Sequence, residues 1–301
     1  MPVIRSAFET CSGAALPASP SVGSSPCGEF APGAARHAVG LVFDLDDVLY
    51  DATLWRRWLL RLVASLGVRA SYASFYRLWD REYLVDVHCA RREYDEAFQS
   101  FLLASNLSWA QIDEVEAASR IQRENLELNV RPLPGVVKTI ARLVDLGLPL
   151  VALADAPYPA ARLSQRLDRL GLANRFKTVL SSFDLEAAKP SAPCYQAALD
   201  ALGLPAQDVT YVGHDAEDLE GAKAIGMRTV AFNYQRHARA DFYLTRFEDL
   251  PAMFENGSAL GANRASPAAE GNRHHDAASP IHHEIASSPK IPVRSVFPVR
   301  P

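Results

Sequence analysis

The 301-residue sequence is poor in cysteine, in long apolar runs and in surplus charge. Its four cysteines form no CxxC pair, which excludes a zinc ribbon and gives no sign of a disulfide scaffold. No apolar run reaches the roughly 18 residues of a membrane span, and a net charge of -4 provides no basic surface for nucleic acid. We therefore expect a soluble, cytoplasmic protein that binds neither membranes nor nucleic acid.

Both ends of the chain are rich in Ser, Pro, Ala and Gly and have no helical or strand period. These four residue types fill more than half of residues 1–38 and half of residues 256–301. Such segments bury too little apolar surface to offset the entropy lost when their backbone is ordered. We predict that both are disordered tails. Two histidine pairs in the second tail, at 274–275 and 282–283, are interpreted as polar filler rather than a metal site.

Between the tails, short apolar runs alternate with helical periods. Strands that alternate with helices of this length are typical of an α/β fold with a parallel sheet. A block of helical segments follows the first strand, so we predict a core formed by 39–52 and 131–255 with a helical cap at 53–130. The predicted strands are 40–43, 148–154, 177–181, 208–213, 228–232 and an edge strand at 241–244; the predicted helices are 53–66, 71–86, 91–105, 110–127, 135–146, 158–170, 192–202 and 216–225.

Two aspartates, Asp44 and Asp46, follow the first predicted strand. In an extended backbone, residues i and i+2 project to the same side, so both carboxylates can face one ligand. One of them can attack as a nucleophile while the other, kept protonated, acts as general acid and then as general base. The alternative interpretation is that these acids merely end a strand and begin a solvated loop.

More charged residues follow the ends of later strands. Lys189 comes after the third core strand, and the segment from Gly213 to Asp218 comes after the fourth. Because the carboxyl ends of parallel strands meet at one edge of a sheet, these groups are predicted to surround one pocket. There the acids can hold a hard cation and the ammonium can neutralise phosphate charge. Taken singly, Lys189 is typical of a solvated loop cation and Asp218 of a helix-terminal charge.

These motifs resemble the haloacid dehalogenase superfamily, in the branch with a helical cap inserted after the first motif. Residues 42–50, VFDLDDVLY, are similar to the first motif of that family. The pairs at 134–135 and 189–190 and the segment 213–227 follow in the family's order. The resemblance covers about residues 40–250. It implies a Rossmann-like core, Mg2+ as the cofactor and a small phosphorylated metabolite as the substrate.

The resemblance also implies roles for individual residues. It makes Asp44 the nucleophile that forms an aspartyl-phosphate, Asp46 the general acid and base, and Lys189 the cation that orients Asp44. Because dehalogenases of the family lack the second acid, Asp46 favours phosphate ester hydrolysis over dehalogenation. The implied metal ligands are Asp44, Asp46 through its backbone carbonyl, Asp215 and Asp218, and the implied phosphate-binding residues are Ala154, Asp155 and Lys189.

The second motif departs from the family's pattern. The family places there a Ser or Thr hydroxyl that binds the transferring phosphoryl group, and Ala154 stands at that position. Losing one such donor costs on the order of 10²–10³ in rate unless backbone amides after Ala154 compensate. In the alternative register Asp155 stands there, and it repels phosphate when it is ionised and points inwards.

The fourth motif has His214 where the family has an aspartate that holds the metal. Since Mg2+ prefers oxygen ligands, we expect Asp215 to supply the carboxylate through a local shift and Asp218 to support it without touching the metal. Two alternatives are that His214 binds a softer metal and that it is a structural histidine.

Taken together, the sequence predicts a Mg2+-dependent hydrolase of small phosphate monoesters. A catalytically weakened relative that binds a phosphorylated ligand or a partner protein is the main alternative, motivated by Ala154 and His214. A 2-haloacid dehalogenase is disfavoured by Asp46, and a receiver-like phosphoacceptor domain is disfavoured by the helical insert. Three arginines early in the cap, Arg56, Arg57 and Arg61, are interpreted either as contacts to a substrate phosphate or carboxylate or as solvated surface.

Overall fold

The computed structural model describes residues 39–255. The two predicted tails, with the histidine pairs of the second, lie outside the described residues. None of the helices formed by residues 39–255 has the length and apolar character that a membrane crossing requires.

Six strands form one parallel sheet. They are β1 Gly40–Phe43, β2 Leu150–Ala154, β3 Thr178–Ser181, β4 Val209–Gly213, β5 Arg228–Phe232 and β6 Phe242–Leu244. Their order across the sheet is β3-β2-β1-β4-β5-β6, with every neighbouring pair parallel. The predicted α/β fold is thus confirmed, including the edge strand. Because β1 lies between β2 and β4, the loops that follow these three strands meet at one edge of the sheet.

Five α-helices and one π-helical turn separate β1 from the next core helix. They are α1 Thr53–Ser65, α2 Tyr72–Leu78, the π turn Trp79–Leu84, α3 Val85–His88, α4 Tyr94–Ala104 and α5 Trp109–Leu128. This block has an apolar core of its own, in which Trp79 packs against Phe98 and Phe101. The predicted helical insert is therefore present, while its division from the core at residues 53 and 130 stays a prediction.

Local interactions set where helices begin and end within the insert. Ser108 caps α5: its hydroxyl accepts a hydrogen bond from the backbone N–H of Gln111, whose side chain in turn accepts one from the backbone N–H of Ser108. The single helix predicted at 71–86 is instead interrupted by the π turn. A 3.6-residue apolar period carries no signal for such a widened turn, which is why the sequence pattern misses it.

The remaining helices cover both faces of the sheet. They are α6 Val136–Asp145, α7 Ala160–Arg169, α8 Ser182–Leu185, α9 Ala192–Leu202, α10 Ala216–Ala224 and α11 Ala252–Glu255. Leu41 and Phe43 of β1 belong to one buried cluster with residues of α6 and α7, and Val42 belongs to another with residues of α9 and α10. Side chains of a strand alternate between faces, so β1 is buried on both. The patterns do not predict α8, which at one turn is too short to show a period.

Candidate active site

Asp44 leaves the central strand at the edge where the three loops meet. Its backbone N–H donates to the carbonyl of Val212 in β4, which continues the sheet by one residue, and its side chain is buried. The chain then turns tightly, with Asp47 at φ +57° and its N–H donating to the carbonyl of Tyr50. The short apolar strand therefore delivers one carboxylate into the protein before the backbone turns away.

Lys189 lies between two carboxylates. Its Nζ is 2.9 Å from Oδ1 of Asp44 and 2.7 Å from Oδ2 of Asp218, and it also donates to the hydroxyl of Tyr211 over 3.2 Å. Burial lowers the pKa of Lys189, but the charges of Asp218 and Asp44 outweigh burial and raise that pKa well above its ordinary value. The side chain is consequently a fixed ammonium, only 2% exposed.

A glycine permits this approach of α10 to the lysine loop. A Cβ atom on Gly221 would lie 2.7 Å from both Cβ and the carbonyl oxygen of Pro190, closer than side-chain and backbone atoms tolerate. Without a side chain at this position, α10 packs directly on the loop that carries Lys189, and Asp218, one turn earlier on the helix, reaches the ammonium.

The carboxylate of Asp44 is held in its ionised form. Burial raises the pKa of Asp44, but the ammonium of Lys189 and the imidazole of His214 together lower it to about 2. Oδ1 accepts a hydrogen bond from the backbone N–H of Leu45, 2.8 Å long, and also faces Lys189. The arrangement thus presents a charged, desolvated oxygen nucleophile next to a permanent cation.

His214 faces the carboxylate oxygen of Asp44 that Lys189 does not contact. Its Nδ1 is 3.3 Å from Oδ2 of Asp44, a distance that is long for a hydrogen bond. Burial lowers the pKa of His214, but the carboxylate of Asp44 more than offsets burial and raises that pKa to about 9. The two oxygens of Asp44 therefore face two different nitrogen groups, one from the loop after β3 and one from the end of β4.

Asp215, the expected metal ligand, has another role in the structure. Its Oδ1 accepts hydrogen bonds from the backbone N–H groups of Glu217 and Asp218 and so caps α10, and its Oδ2 accepts one from the side chain of Gln235. Among residues 39–255, no group of three or more His, Cys, Asp or Glu side chains is arranged to hold a metal ion. The structure brings Asp44 and Asp218 together around Lys189, whereas Asp215 is committed to the helix terminus.

Asp46 is held by Tyr50 and Arg166, to which the sequence patterns assign no role. Its Oδ1 accepts a hydrogen bond from the hydroxyl of Tyr50, and that hydroxyl accepts one, 2.7 Å long, from Nη1 of Arg166 in α7. Arg166 in turn forms an ion pair with Glu127 near the end of α5. Tyr50 lies within the first motif, but nothing local indicates that an arginine 116 residues later reaches it.

The end of β2 offers a carboxyl group and no hydroxyl. Ala154 is buried at the last position of the strand. Asp155 follows, and its Oδ1 accepts a 3.0 Å hydrogen bond from the backbone N–H of Lys189. The N–H of Ala156, one of the backbone donors expected to compensate for the missing hydroxyl, donates to Oγ of Ser182 instead. The backbone N–H of Ala156 therefore does not replace the missing hydroxyl in this structure.

Asp155 has an unusual proton affinity. Burial raises its pKa to about 7, because the nearby carboxylates of Asp218 and Asp44 add to the effect of burial while Lys189 opposes it. The group therefore changes charge near neutral pH, next to the loop that carries Lys189. Whether Asp155 repels phosphate, as expected in the alternative register, therefore depends on pH.

In the cap, Arg56, the first of the three candidate arginines, is already paired with a carboxylate. Nη1 and Nη2 of Arg56 each lie 2.8 Å from a carboxylate oxygen of Asp80, and the guanidinium also lies over the ring of Tyr76. A guanidinium that is paired at both ends of its fork has no bidentate geometry left for a substrate carboxylate. Arg56 therefore holds α1 against the π turn.

Comparison with known proteins gives one family. A model of the haloacid dehalogenase-like hydrolases matches residues 39–226. A glyceraldehyde 3-phosphate phosphatase of Methanocaldococcus jannaschii is 25% identical over 64% of this chain and 83% of its own length. A phosphoglycolate phosphatase of Yersinia pseudotuberculosis is 28% identical over 71% and 92%.

Solved structures agree on the fold. A predicted phosphoglycolate phosphatase from Haemophilus somnus superposes with a TM-score of 0.55 at 18% identity, over 73% of this chain and 99% of that one. A dehalogenase superposes with a TM-score of 0.52 at 22% identity, over 72% and 96%. Since phosphatase and dehalogenase structures match almost equally well, the fold by itself does not choose between the two reactions.

Proposed function

The chain belongs to the haloacid dehalogenase-like hydrolase family, and on that premise we propose that it hydrolyses small phosphate monoesters through a covalent intermediate on Asp44. The observation that carries the proposal is the buried pair of Asp44 Oδ1 and Lys189 Nζ, 2.9 Å apart. This pair lies at the edge where open α/β sheets bind their ligands. The phosphatases among the relatives support a small phosphorylated metabolite as the substrate class.

In the first half of the reaction, Asp44 attacks phosphorus. Oδ1 already accepts a backbone hydrogen bond and faces an ammonium, whereas Oδ2 has only the long contact to His214, so Oδ2 is the oxygen that attacks. A bond forms between Oδ2 and phosphorus while the bond from phosphorus to the ester oxygen breaks. The fixed charge of Lys189 stabilises the negative charge of the transferring group at no cost in reorganisation.

Asp46 donates a proton in the first half of the reaction and accepts one in the second. The departing ester oxygen takes the proton of the Asp46 carboxyl, and Asp46 then accepts a proton from the water that attacks phosphorus in the second half. That step releases inorganic phosphate and restores the Asp44 carboxylate. The hydrogen bond from Tyr50, itself fixed by Arg166, holds the Asp46 carboxyl in one orientation. A halide leaves without a proton, so a second acid of this kind supports phosphate ester hydrolysis over dehalogenation.

Magnesium, which the family resemblance implies, can be tested against the donors present. Mg2+ requires near-octahedral oxygen ligands at about 2.0–2.1 Å. At Asp44, one oxygen faces an ammonium and the other faces an imidazole; Asp218 is bound to Lys189 and both oxygens of Asp215 are hydrogen-bonded. The side chains of Asp44, Asp215 and Asp218 therefore do not fit a Mg2+ centre, and none of the steps above passes through a metal.

A panel of phosphate monoesters tests the proposal, with release of inorganic phosphate as the measurement. We expect the purified full chain to hydrolyse at least one sugar phosphate, phosphoglycolate-like acid or nucleoside monophosphate. Asp44→Asn should lower kcat/KM by at least about 10³-fold, the scale seen when a covalent nucleophile is removed. Asp208→Asn, which alters an acid at the opposite end of β4, should retain activity. Equal turnover in wild type and Asp44→Asn would refute the proposal.

A second candidate function is a binding protein with little turnover. Ala154 favours it, because the buried methyl group at the end of β2 cannot donate to a phosphoryl oxygen. In this case the same panel shows no phosphate release, and calorimetry shows a monoester that binds the wild type and binds Lys189→Met at least about tenfold more weakly, as expected when a charged hydrogen-bond donor is removed.

A further inference from the structure

We infer that the phosphoryl site at Asp44 works without a divalent cation, and that His214 takes the side of the Asp44 carboxylate that a metal would need. The inference rests on the proposed function and deepens it. It concerns the cofactor that the family resemblance implies, Mg2+, and the nitrogen donors that face Asp44 in this chain.

Nitrogen donors lie on both sides of the Asp44 carboxylate. Oδ1 of Asp44 has the backbone N–H of Leu45 at 2.8 Å and Nζ of Lys189 at 2.9 Å. Oδ2 faces Nδ1 of His214 at 3.3 Å. A metal ion bound to Oδ2 needs further oxygen ligands around it, and the imidazole ring lies on that side of the carboxylate. Both oxygens therefore face nitrogen donors of the protein itself.

Two further carboxylates that the resemblance offers as metal ligands already have partners. Asp218 pairs with Lys189 at 2.7 Å, and Asp215 caps α10 through its Oδ1 while Gln235 donates to its Oδ2. Recruiting either of them to a metal would weaken a charged or capping hydrogen bond. These two acids therefore already hold the lysine and the helix terminus.

The two nitrogen groups differ in exposure. Lys189 is 2% exposed at its side chain and is shared between two carboxylates, which fixes its ammonium beside Asp44. The side chain of His214 is 17% exposed, while its Nδ1 is buried and has no hydrogen-bond partner in the described structure. This nitrogen is therefore a donor that the protein itself offers to a phosphoryl oxygen at Asp44.

Direct measurement of Mg2+ binding tests the inference without a substrate. The wild-type chain, His214→Asp, His214→Asn and Asp44→Asn are titrated with MgCl2 by calorimetry, and their melting temperatures are recorded with and without the metal. We expect no saturable Mg2+ binding that depends on Asp44 in the wild type or in His214→Asn. His214→Asp, which restores the family's carboxylate, should gain such a site and melt at a higher temperature when Mg2+ is present.

The matched pair separates charge from shape, because Asp and Asn differ little in size. If His214→Asp does not fold, the wild type still decides: Mg2+ binding that Asp44→Asn abolishes would overturn the inference. Absence of that binding, together with a gain of it in His214→Asp but not in His214→Asn, would support it.

Activity distinguishes this inference from the proposed function. Phosphate release that is equal in EDTA and in MgCl2 supports both, and release that requires MgCl2 upholds the proposed function while it overturns the inference. If no monoester is hydrolysed under either condition, the proposed function fails, and the Mg2+ titrations still decide whether this carboxylate site excludes the metal.

Discussion

After β1 and β3 the chain places Asp44 and Lys189, an ion pair that follows the family's pattern. At the end of β2 and after β4 it places Ala154 and His214, which depart from that pattern. Asp44 and Lys189 are buried and 2.9 Å apart. Ala154 supplies a methyl group where the family resemblance implies a hydroxyl, and His214 supplies an imidazole where the resemblance implies a carboxylate.

The difference has a physical basis that does not involve catalysis. Breaking a buried ion pair by removing one partner leaves an uncompensated charge and costs about 3–5 kcal/mol. Asp44, Lys189 and Asp218 therefore support the fold as well as the site. Ala154 carries no charge and His214 contacts Asp44 only over 3.3 Å, so we expect substitutions at these two positions to change stability less. The following variants test this contrast.

The largest expected effect is on stability, from Lys189→Met. Methionine has a similar length but no charge, so Asp44 and Asp218 lose their shared ammonium. We expect the free energy of unfolding, measured with urea, to fall by about 3–5 kcal/mol. Lys223→Met removes the exposed partner of Asp241 and should cost at most about 1 kcal/mol. Equal losses of unfolding free energy in the two variants would mean that the buried Lys189 ion pair supports the fold no more than an exposed one does.

The next effect is a gain of activity from Ala154→Ser. A hydroxyl at the end of β2 gives the phosphoryl group the donor that the family uses, and one such donor is worth on the order of 10²–10³ in rate. Ala154→Cys introduces a group of similar size that donates only weakly and should gain much less. The measurement is kcat/KM for the best monoester of the panel. No difference between Ser and Cys would mean that another group already binds that oxygen.

The smallest effect is a change in the pH dependence of stability from Asp155→Asn. The folded-state pKa of Asp155 is raised to about 7, so the folded protein binds this proton more tightly than the unfolded chain does. The resulting stability is fully present below about pH 4 and is lost as the pH rises through about 7.

We expect the unfolding free energy of the wild type, relative to Asp155→Asn, to fall between pH 4 and pH 7.5 by an amount on the order of 1–3 kcal/mol. Urea denaturation of both proteins at a series of pH values measures the difference, in which the effects of groups that do not interact with Asp155 cancel. A difference that does not change with pH would show that the Asp155 carboxyl has an ordinary proton affinity.

Much of the site was predictable because it follows from strand ends. A parallel sheet brings together whatever follows the carboxyl ends of its strands, so the order of the motifs was enough to predict that Lys189 reaches Asp44. The roles of Asp215 and Tyr50 were not predictable in this way. Whether Asp215 serves a ligand or caps a helix depends on where its side chain points, and Tyr50 acquires its partner Arg166 from a helix 116 residues away.

The sequence by itself determined the alternation of strands and helices, the insertion of helices after β1 and the two departures at Ala154 and His214. These depend on local apolar periods and residue types, which the unfolded chain already contains. Only the tertiary structure decided which nitrogen faces which oxygen of Asp44, and gave Asp155 its raised pKa. Such contacts join residues far apart in the chain, and their strength depends on burial, which exists only once the sheet and its helices have packed.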